Sequence, residues 1–439
     1  MKTLKNRFYA LDRDGKCIWL FLVVMVATVA AFAIQQALAV VRGVHFFESP
    51  IFGSYVWDYF MDFFNVNTWV YPGSDPYGPP AYSSYPPLAL AVPMIFAFFG
   101  DYSNGSVVAR SDIPTLITYF VVLLLFTALA AAALVCAGRK YGLSGRLTLA
   151  LSVLMALSAP YIYLFGRGNY IFMVVAALAW FFYLYQSEKR WQRELAVALL
   201  AFAAGLKLYP ALFAAIYLKE RRYGEFGKAV LYTLVLFFLP FLFFKDGFAN
   251  VALFLRNLFD FQGSGQASAH NYSMPTFFYY IAQLFGGCKL SAAPAWALTA
   301  GKITAYLILP LGLFCSLLSD KKWKSFALVC ITTILFPAPS YVYSACMMLP
   351  VSGVFLLTPH KEKRDYIYLG LFLLLFSPVQ FGYLVQPRYV VFGLTVSNLL
   401  QHLSLLLMFA LLCTEALRTL PEVCCSFKKD PKGFLKPLR

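Results

Sequence analysis

PTLITYFVVLLLFTALAAAALVCA, residues 114–137, runs without a charged side chain and stops at Gly138-Arg139-Lys140. A helix needs about 20 apolar residues to cross the roughly 30 Å of bilayer hydrocarbon, so the stretch reads as a membrane span closed by a basic anchor. Runs of this kind recur along all 439 residues. Leu, Ala, Phe and Val fill them without strict alternation, which points to helices and away from a β-barrel. Composition agrees: 61% of residues are hydrophobic and only 13% are charged, too few to cover a water-soluble protein of this length. The predicted fold class is all-α, a polytopic integral membrane protein of about 12 transmembrane helices.

The first apolar run, Cys17 to Val41, is too long for a signal peptide and lacks a small-residue cleavage site, so it reads as a retained first span. The net charge of +16 invites a nucleic-acid reading, but its distribution argues for topology. Lys and Arg collect in KTLKNR (2–7), around Arg139, and in EKRWQR (188–193), KERR (219–222), DKKWK (320–324), HKEKR (360–364) and the tail after Arg418. The positive-inside rule puts these segments and both termini in the cytoplasm, where they also match anionic headgroups. Of the nine cysteines only Cys288 falls in an outer loop, so no disulfide framework is implied.

Fixing those loops dictates the remaining topology. Residues 43–113 form a long first outer loop, in which the half-length run 86–99 is interfacial or re-entrant. Runs 147–165 and 170–185 pair across FGRGNY. Residues 195–218 must leave and return, which allows only two half-spans meeting at GLKLYP, bracketed by Gly205 and Pro210. Run 229–244 leads to a polar outer loop, 245–274, and 275–286 lies against the membrane. Run 298–318 and the pairs 325–338 with 341–358 and 366–386 with 390–416 complete a single transmembrane domain, residues 1–439, with a basic cytoplasmic tail at 418–439. No repeat or soluble domain interrupts it.

Charge on the outer side is scarce, and each instance is informative. The first outer loop carries Glu48, Asp58, Asp62 and Asp75 among aromatic residues, prolines and glycines. Asp58 and Asp62 are four apart, on one face if the piece is helical. A carboxylate among Trp and Phe at the membrane surface is poorly solvated and more basic, as a general base should be. The plainer alternative makes these the water-facing side of an interfacial helix. The cations near that boundary are Arg167, Lys207, Arg256, Arg388 and, in ASAHNYSM, His270. Arg167 and Lys207 fall at turns between apolar helices, where a charge is costly unless paired or beside water. Facing an acidic loop, they suggest a site for a phosphorylated lipid, with snorkelling to lipid phosphates as the alternative. Arg256 and Arg388 are left to snorkelling. No metal-ligand spacing and no P-loop occur, and GSG at 263–265 reads as loop flexibility.

In order along the chain, the acidic outer loop with Asp58 and Asp62, GSDPY (73–77), YPPL (85–88), RGN (167–169), KLYP (207–210) and PAPSYVY (337–343) resemble the polyprenyl-phosphate-sugar-dependent glycosyltransferases of the C superfamily, most of all glycosyltransferase family 87. That family includes mannosyltransferases of bacterial envelope glycolipids. The resemblance implies a glycosyltransferase C-type fold and an inverting transfer of a hexose, mannose foremost, from a polyprenyl-phosphate donor to a glycolipid or envelope glycan. It implies Asp62 as the general base, with Asp58 positioning or sharing the proton. Arg167 and Lys207 would bind the donor phosphate, a role needing no metal or other cofactor. Tyr85 and the prolines after it would shape the lipid entrance. Asn169 in RGN, and Asn271 with Ser273 in an N-x-S element beside His270, complete the implied substrate contacts. The implied partners are donor, acceptor and membrane lipids, and the implied location is a bacterial inner membrane. The chain departs from the family in having Tyr341 and Tyr343 where a His is common near the Pro-rich break. It also has Tyr170 and Ile171 where an acidic residue often follows RGN. The rival readings are a flippase for a lipid-linked saccharide, against which stands the absence of paired halves, and an O-antigen-ligase-like polymerase, against which stands the modest late loop.

Overall fold

The computed structural model describes residues 12–46, 49, 51–52, 58–264, 270–287, 289–290, 292–385 and 394–421. The first helix among the described residues, α1 (Arg13–Val41), begins where the Asp12 carboxylate accepts the Gly15 N–H at 2.7 Å. The segment expected as the first outer loop folds into three short helices, α2 (Met61–Trp69), α3 (Pro87–Ala97) and α4 (Ser106–Ser111). At 11 residues α3 is about 16 Å long, half a bilayer, as its sequence suggested.

The decisive apolar stretch lies inside α5 (Ile113–Lys140), capped by Asp112 and ending on Arg139 and Lys140, where cations suit the negative helix end. The run 147–165 is not one straight span. It divides into α6 (Gly145–Ala156) and α7 (Ala159–Arg167), bent by 59°, with Pro160 in the first turn of the second piece. Next come α8 (Ile171–Leu184) and α9 (Arg190–Leu206). The expected break at GLKLYP is present: Lys207 is extended, a 3₁₀ turn covers Tyr209–Ala214, and α10 (Ala215–Lys219) returns.

α11 (Tyr223–Phe238) continues through a 3₁₀ turn to Phe243. The polar outer loop predicted for 245–274 instead contains a helix, α12 (Asn250–Ser264). It is followed by α13 (Met274–Phe285), α14 (Ala295–Leu318), α15 (Lys322–Leu335) and, after a 3₁₀ turn over Val342–Met347, α16 (Met348–Leu357). The run 366–386 is helical only as α17 (Asp365–Phe376). Ser377 precedes Pro378, and the residue before a proline is driven out of the helical region. The chain then forms strand β1 (Tyr383–Val385), antiparallel to β2 (Leu394–Thr395), before α18 (Val396–Arg418).

Among the described residues five helices are long and apolar enough to cross a membrane, or six counting the bent pair as one span. Four shorter apolar stretches of 10–17 residues supplement them. Surface and core differ sharply. α5 buries only 17% of its most apolar stretch and exposes Val121, Leu124 and Leu125 by more than half, the surface of a helix facing lipid. By contrast, 11 of the 14 residues of α8 and 13 of the 14 residues of α15 are buried. Both are buried nearly all round and form the centre against which the other helices pack.

One end of the bundle gathers the basic segments. Asp14 accepts the N–H groups of His360 and Lys361 at 2.9 and 2.7 Å, Lys321 pairs with Glu362 at 2.8 Å, and Lys324 pairs with Glu415 at 2.9 Å. Lys219 donates to the Ser319 carbonyl at 2.5 Å, and Arg222 pairs with Glu225 at 2.9 Å. The described segments expected on one membrane face therefore share one end of the molecule, while KTLKNR (2–7) and the tail beyond residue 421 lie outside the described residues.

Candidate active site

The site forms where α2 meets the turn after α7. Phe60 precedes α2 in the left-handed region at φ 62°, a conformation a phenylalanine rarely adopts. Its N–H donates to the Gly166 carbonyl at 2.6 Å, and its ring packs on Tyr119 and Phe165 at 4.8 and 5.3 Å. Across the contact, Gly168 closes α7 at φ +70°. A Cβ there would lie 2.7 Å from the Phe60 carbonyl oxygen and 3.0 Å from its Cα, so the backbones touch only because Gly168 has no side chain. This approach sets Asp58 and Asp62 opposite Arg167 and Asn169.

The Arg167 guanidinium takes both carboxylates, one nitrogen bonding Asp58 and the other Asp62 Oδ1 at 2.6 Å. Asp58 lies before the helix, so the two acids do not share a helical face as their spacing suggested; the Arg fork gathers them. The second Asp62 oxygen accepts Asn169 Nδ2 at 2.8 Å, and the same amide reaches the Tyr85 hydroxyl at 3.2 Å. Asn169 is aimed by its own Oδ1, which accepts the Ile171 N–H at 3.1 Å. The Lys207 ammonium sits 4.3 Å above the Tyr85 ring. Extended backbone at the half-span break delivers it there. Six sequence candidates, Asp58, Asp62, Tyr85, Arg167, Asn169 and Lys207, thus meet in one place.

The Asp62 side chain is 13% exposed against 33% for Asp58. Burial pushes the Asp62 carboxyl up to about 6, and the Asn169 hydrogen bond and the Lys207 charge keep it from rising further. Burial and the Asp62 charge push the Tyr85 phenol well above its ordinary range.

His270 and Asn271 reach the site from the other half of the chain. Asn271 bridges to Tyr341, its Oδ1 accepts the N–H groups of Ser273 and Ser340 at 2.8 and 2.9 Å, and the His270 carbonyl accepts the Val342 N–H at 2.8 Å. The Asn271 side chain therefore ties the late loop to the Pro-rich break. The His270 ring stacks on Tyr163 at 5.3 Å, and Tyr163 stacks in turn on Tyr343 at 6.0 Å. Its Nδ1 meets Asn398 Nδ2 at 3.0 Å. Burial and the nearby Arg167 push His270 down to about 4, so it is neutral at physiological pH.

Other candidates fall elsewhere. Asp75 accepts the Tyr77 N–H at 3.0 Å and shapes the GSDPY turn. Arg256 faces Asp260 at 3.8 Å on an exposed helix face. Glu48 and Arg388 lie outside the described residues. Sequence reasoning did not single out Tyr163, Tyr209 or Asn398 as site residues. The tyrosines of PAPSYVY, noted only as departures, lie within electrostatic reach of both Asp62 and Arg167. Among the described residues no three His, Cys, Asp or Glu side chains converge as a metal site.

The site's arrangement is a buried carboxylate beside two cations and the Asn169 amide, at the end of the bundle away from the basic segments. α9 makes that separation concrete: its 17 residues, about 25 Å, run from Arg190 in a basic segment to the Lys207 break. Compared with known proteins, residues 83–344 match the model for glycosyltransferase family 87. That range holds Tyr85, Arg167, Asn169, Lys207, His270, Asn271 and all of PAPSYVY, and it begins after Asp62. No curated protein matches the chain.

Proposed function

Because the chain belongs to glycosyltransferase family 87 and is a glycosyltransferase of the membrane, we propose that it transfers a hexose, mannose foremost, from a polyprenyl-phosphate donor to a glycolipid or envelope glycan. In this reading the basic end faces the cytoplasm of a bacterial cell and the site opens at the outer face of the inner membrane. Residues 1–439 act as one unit, with the 43–113 segment carrying the base and 418–439 forming a cytoplasmic tail.

The observation that carries the proposal is the Arg167 fork on Asp58 and Asp62, with Lys207 alongside. Two cations held close together in a water-poor site suit a phosphate. The donor phosphate draws Arg167 and Lys207 onto itself and frees the Asp62 oxygen that Arg167 holds. Asp62 then takes the proton of the acceptor hydroxyl as that oxygen attacks the anomeric carbon. The bond from anomeric carbon to phosphate oxygen breaks, and the polyprenyl phosphate leaves with its new charge met by Arg167 and Lys207. Attack opposite the leaving group inverts the anomeric centre. Asp62 is preferred over Asp58 as the base because it is more buried and also bonds Asn169 beside Tyr85. Asp58 positions the guanidinium.

The test is transfer by the purified protein from radiolabelled polyprenyl-phosphate mannose into a host lipid extract, with Asp62→Asn and Asp58→Asn compared. Asp62→Asn is expected to abolish transfer while still binding donor, and Asp58→Asn to retain a measurable rate. Transfer surviving in Asp62→Asn but lost in Asp58→Asn would reverse the two roles. No transfer from any polyprenyl-linked donor would remove the donor class.

A further inference from the structure

A cavity lies at the basic end, away from the site. Its volume is about 200 Å³, and it lies between α5, α6, α8 and α16. One wall is the small-residue face of α5, Ala130, Ala133 and Ala137, and Gly353 of α16 stands opposite, where a Cβ would already press on Leu134 at 3.0 Å. The rest of the lining is mostly apolar except at the ends. The inner end is closed by Tyr161 hydrogen-bonded to Thr127, and the outer end is rimmed by Lys140, Gln186 and Lys322. From Thr127 to Lys140 along α5 is about 20 Å, a little more than the roughly 15 Å of hydrocarbon in one leaflet. An apolar slot of leaflet depth with cations at headgroup level is thus cut into the side of the bundle.

Lys322 at its mouth donates to the Gln186 side-chain oxygen and feels the attraction of Glu220 together with a smaller repulsion from Lys140. The nearest acid, Glu220, is already engaged by Gln186, by the Tyr185 hydroxyl at 3.2 Å and by Arg222 at 3.5 Å. Two like charges above an apolar slot are stabilised by an anion between them, and a chain below that anion fills the slot.

We propose that this cavity holds an anionic diacyl glycerophospholipid of the surrounding leaflet, one acyl chain lying along Ala130–Ala137 and its phosphate set between Lys140 and Lys322. The site is separate from the proposed transfer chemistry. The bound lipid fills space that the packing of α5 against α16 leaves open and neutralises the lysine pair.

The experiment is lipid binding to the full-length protein in detergent. Native mass spectrometry and thermal shift are read during titration with dioleoyl phosphatidylglycerol, and with dioleoyl phosphatidylcholine as the zwitterionic partner with the same chains. Phosphatidylglycerol is expected to bind more tightly. The K140Q/K322Q pair should weaken it about 10- to 30-fold and R146Q, on the same end but outside the cavity, should leave it unchanged. Ala137→Phe, which fills the slot and leaves the charges, should also weaken binding, and it distinguishes a seated chain from a headgroup resting on the surface. Equal affinity for both lipids, or no effect of the lysine pair, overturns the proposal. So does displacement of phosphatidylglycerol by polyprenyl phosphate with loss of both on Ala137→Phe, which would make the cavity a seat for the isoprenoid chain. A variant that fails to fold shows in its melting curve without lipid, and the single variants K140Q and K322Q then carry the test.

Discussion

Replacing Gly168 with Ala should cripple transfer far more than it destabilises the protein. Two costs arise. At φ +70° an L-residue pays roughly 1–2 kcal/mol for the left-handed conformation. The new methyl would also stand 2.7 Å from the Phe60 oxygen and 3.0 Å from its Cα, and both neighbours are backbone, so no rotamer change relieves the overlap. The turn before α2 must retreat by several tenths of an ångström to about 1 Å to restore ordinary contact. Asp58 and Asp62 flank Phe60 by two residues on either side and retreat with it. A misplacement of about 1 Å at reacting groups costs on the order of 100-fold in rate. A matched control exists in Gly142, which has φ +76° and nothing within 4 Å of its would-be Cβ. Gly142→Ala carries the backbone cost without the collision. Transfer rates at saturating donor and melting temperatures of both variants are the measurements. Both should lose comparable stability from the backbone term, while only Gly168→Ala loses about 100-fold in turnover. Wild-type turnover in Gly168→Ala would refute the reasoning, because the Phe60–Gly168 approach would then not be what aligns the acids with Arg167.

Asp62 predicts an acid limb in kcat/KM. Its carboxyl, raised to about 6, is ionised and competent above that pH and is protonated below it, so the rate at pH 5 should be near one tenth of the plateau. Because His270 is pushed down to about 4, it does not produce this limb, and His270→Gln should leave the limb in place; a profile flat from pH 5 to 7 counts against Asp62. Arg167→Lys keeps the charge but cannot span both carboxylates, so turnover should fall about 100-fold with a raised donor KM; unchanged kinetics would mean the fork is incidental. Asn271→Ala leaves the Ser273 and Ser340 N–H groups without their acceptor, and a stability loss of about 2 kcal/mol or more is expected in a denaturation series.

The features written in local chemistry were legible before the structure. An uncharged run such as 114–137 has no alternative to a spanning helix, and the break at Lys207 followed from two half-spans that had to turn somewhere. Asp62, Arg167 and Lys207 stood out because charge beside apolar helices needs a partner, and they prove to be one another's neighbours. The failures share a different cause. α12 looked like loop because Arg256, Asn257 and Asp260 interrupt its apolar residues, yet Asn257 is buried and holds the Tyr77 and Ser83 carbonyls at 3.0 and 3.2 Å. The left-handed Phe60 has no sequence signature, since its conformation is imposed by Gly166 and Gly168 a hundred residues away. The meeting of His270 with Tyr163 and Tyr343 is likewise a product of tertiary backbone bonds and not of any motif.

The Arg167–Asp58 contact joins residues 109 positions apart, and that separation has a meaning during synthesis. At about 5–20 residues per second the ribosome makes Asp58 roughly 5–20 s before Arg167. In the proposed topology the acidic segment is delivered first and waits, solvated at the membrane surface, while α5 and α6 are threaded. Arg167 arrives at the end of a broken apolar helix, where a lone guanidinium is a burden to the insertion machinery. It is the later-made partner, so it finds its two counter-charges already in place. Chain order thus spares the nascent protein an unpaired arginine at the membrane boundary, and exchanging Asp58 with Arg167 would preserve the ion pair while reversing that order of arrival.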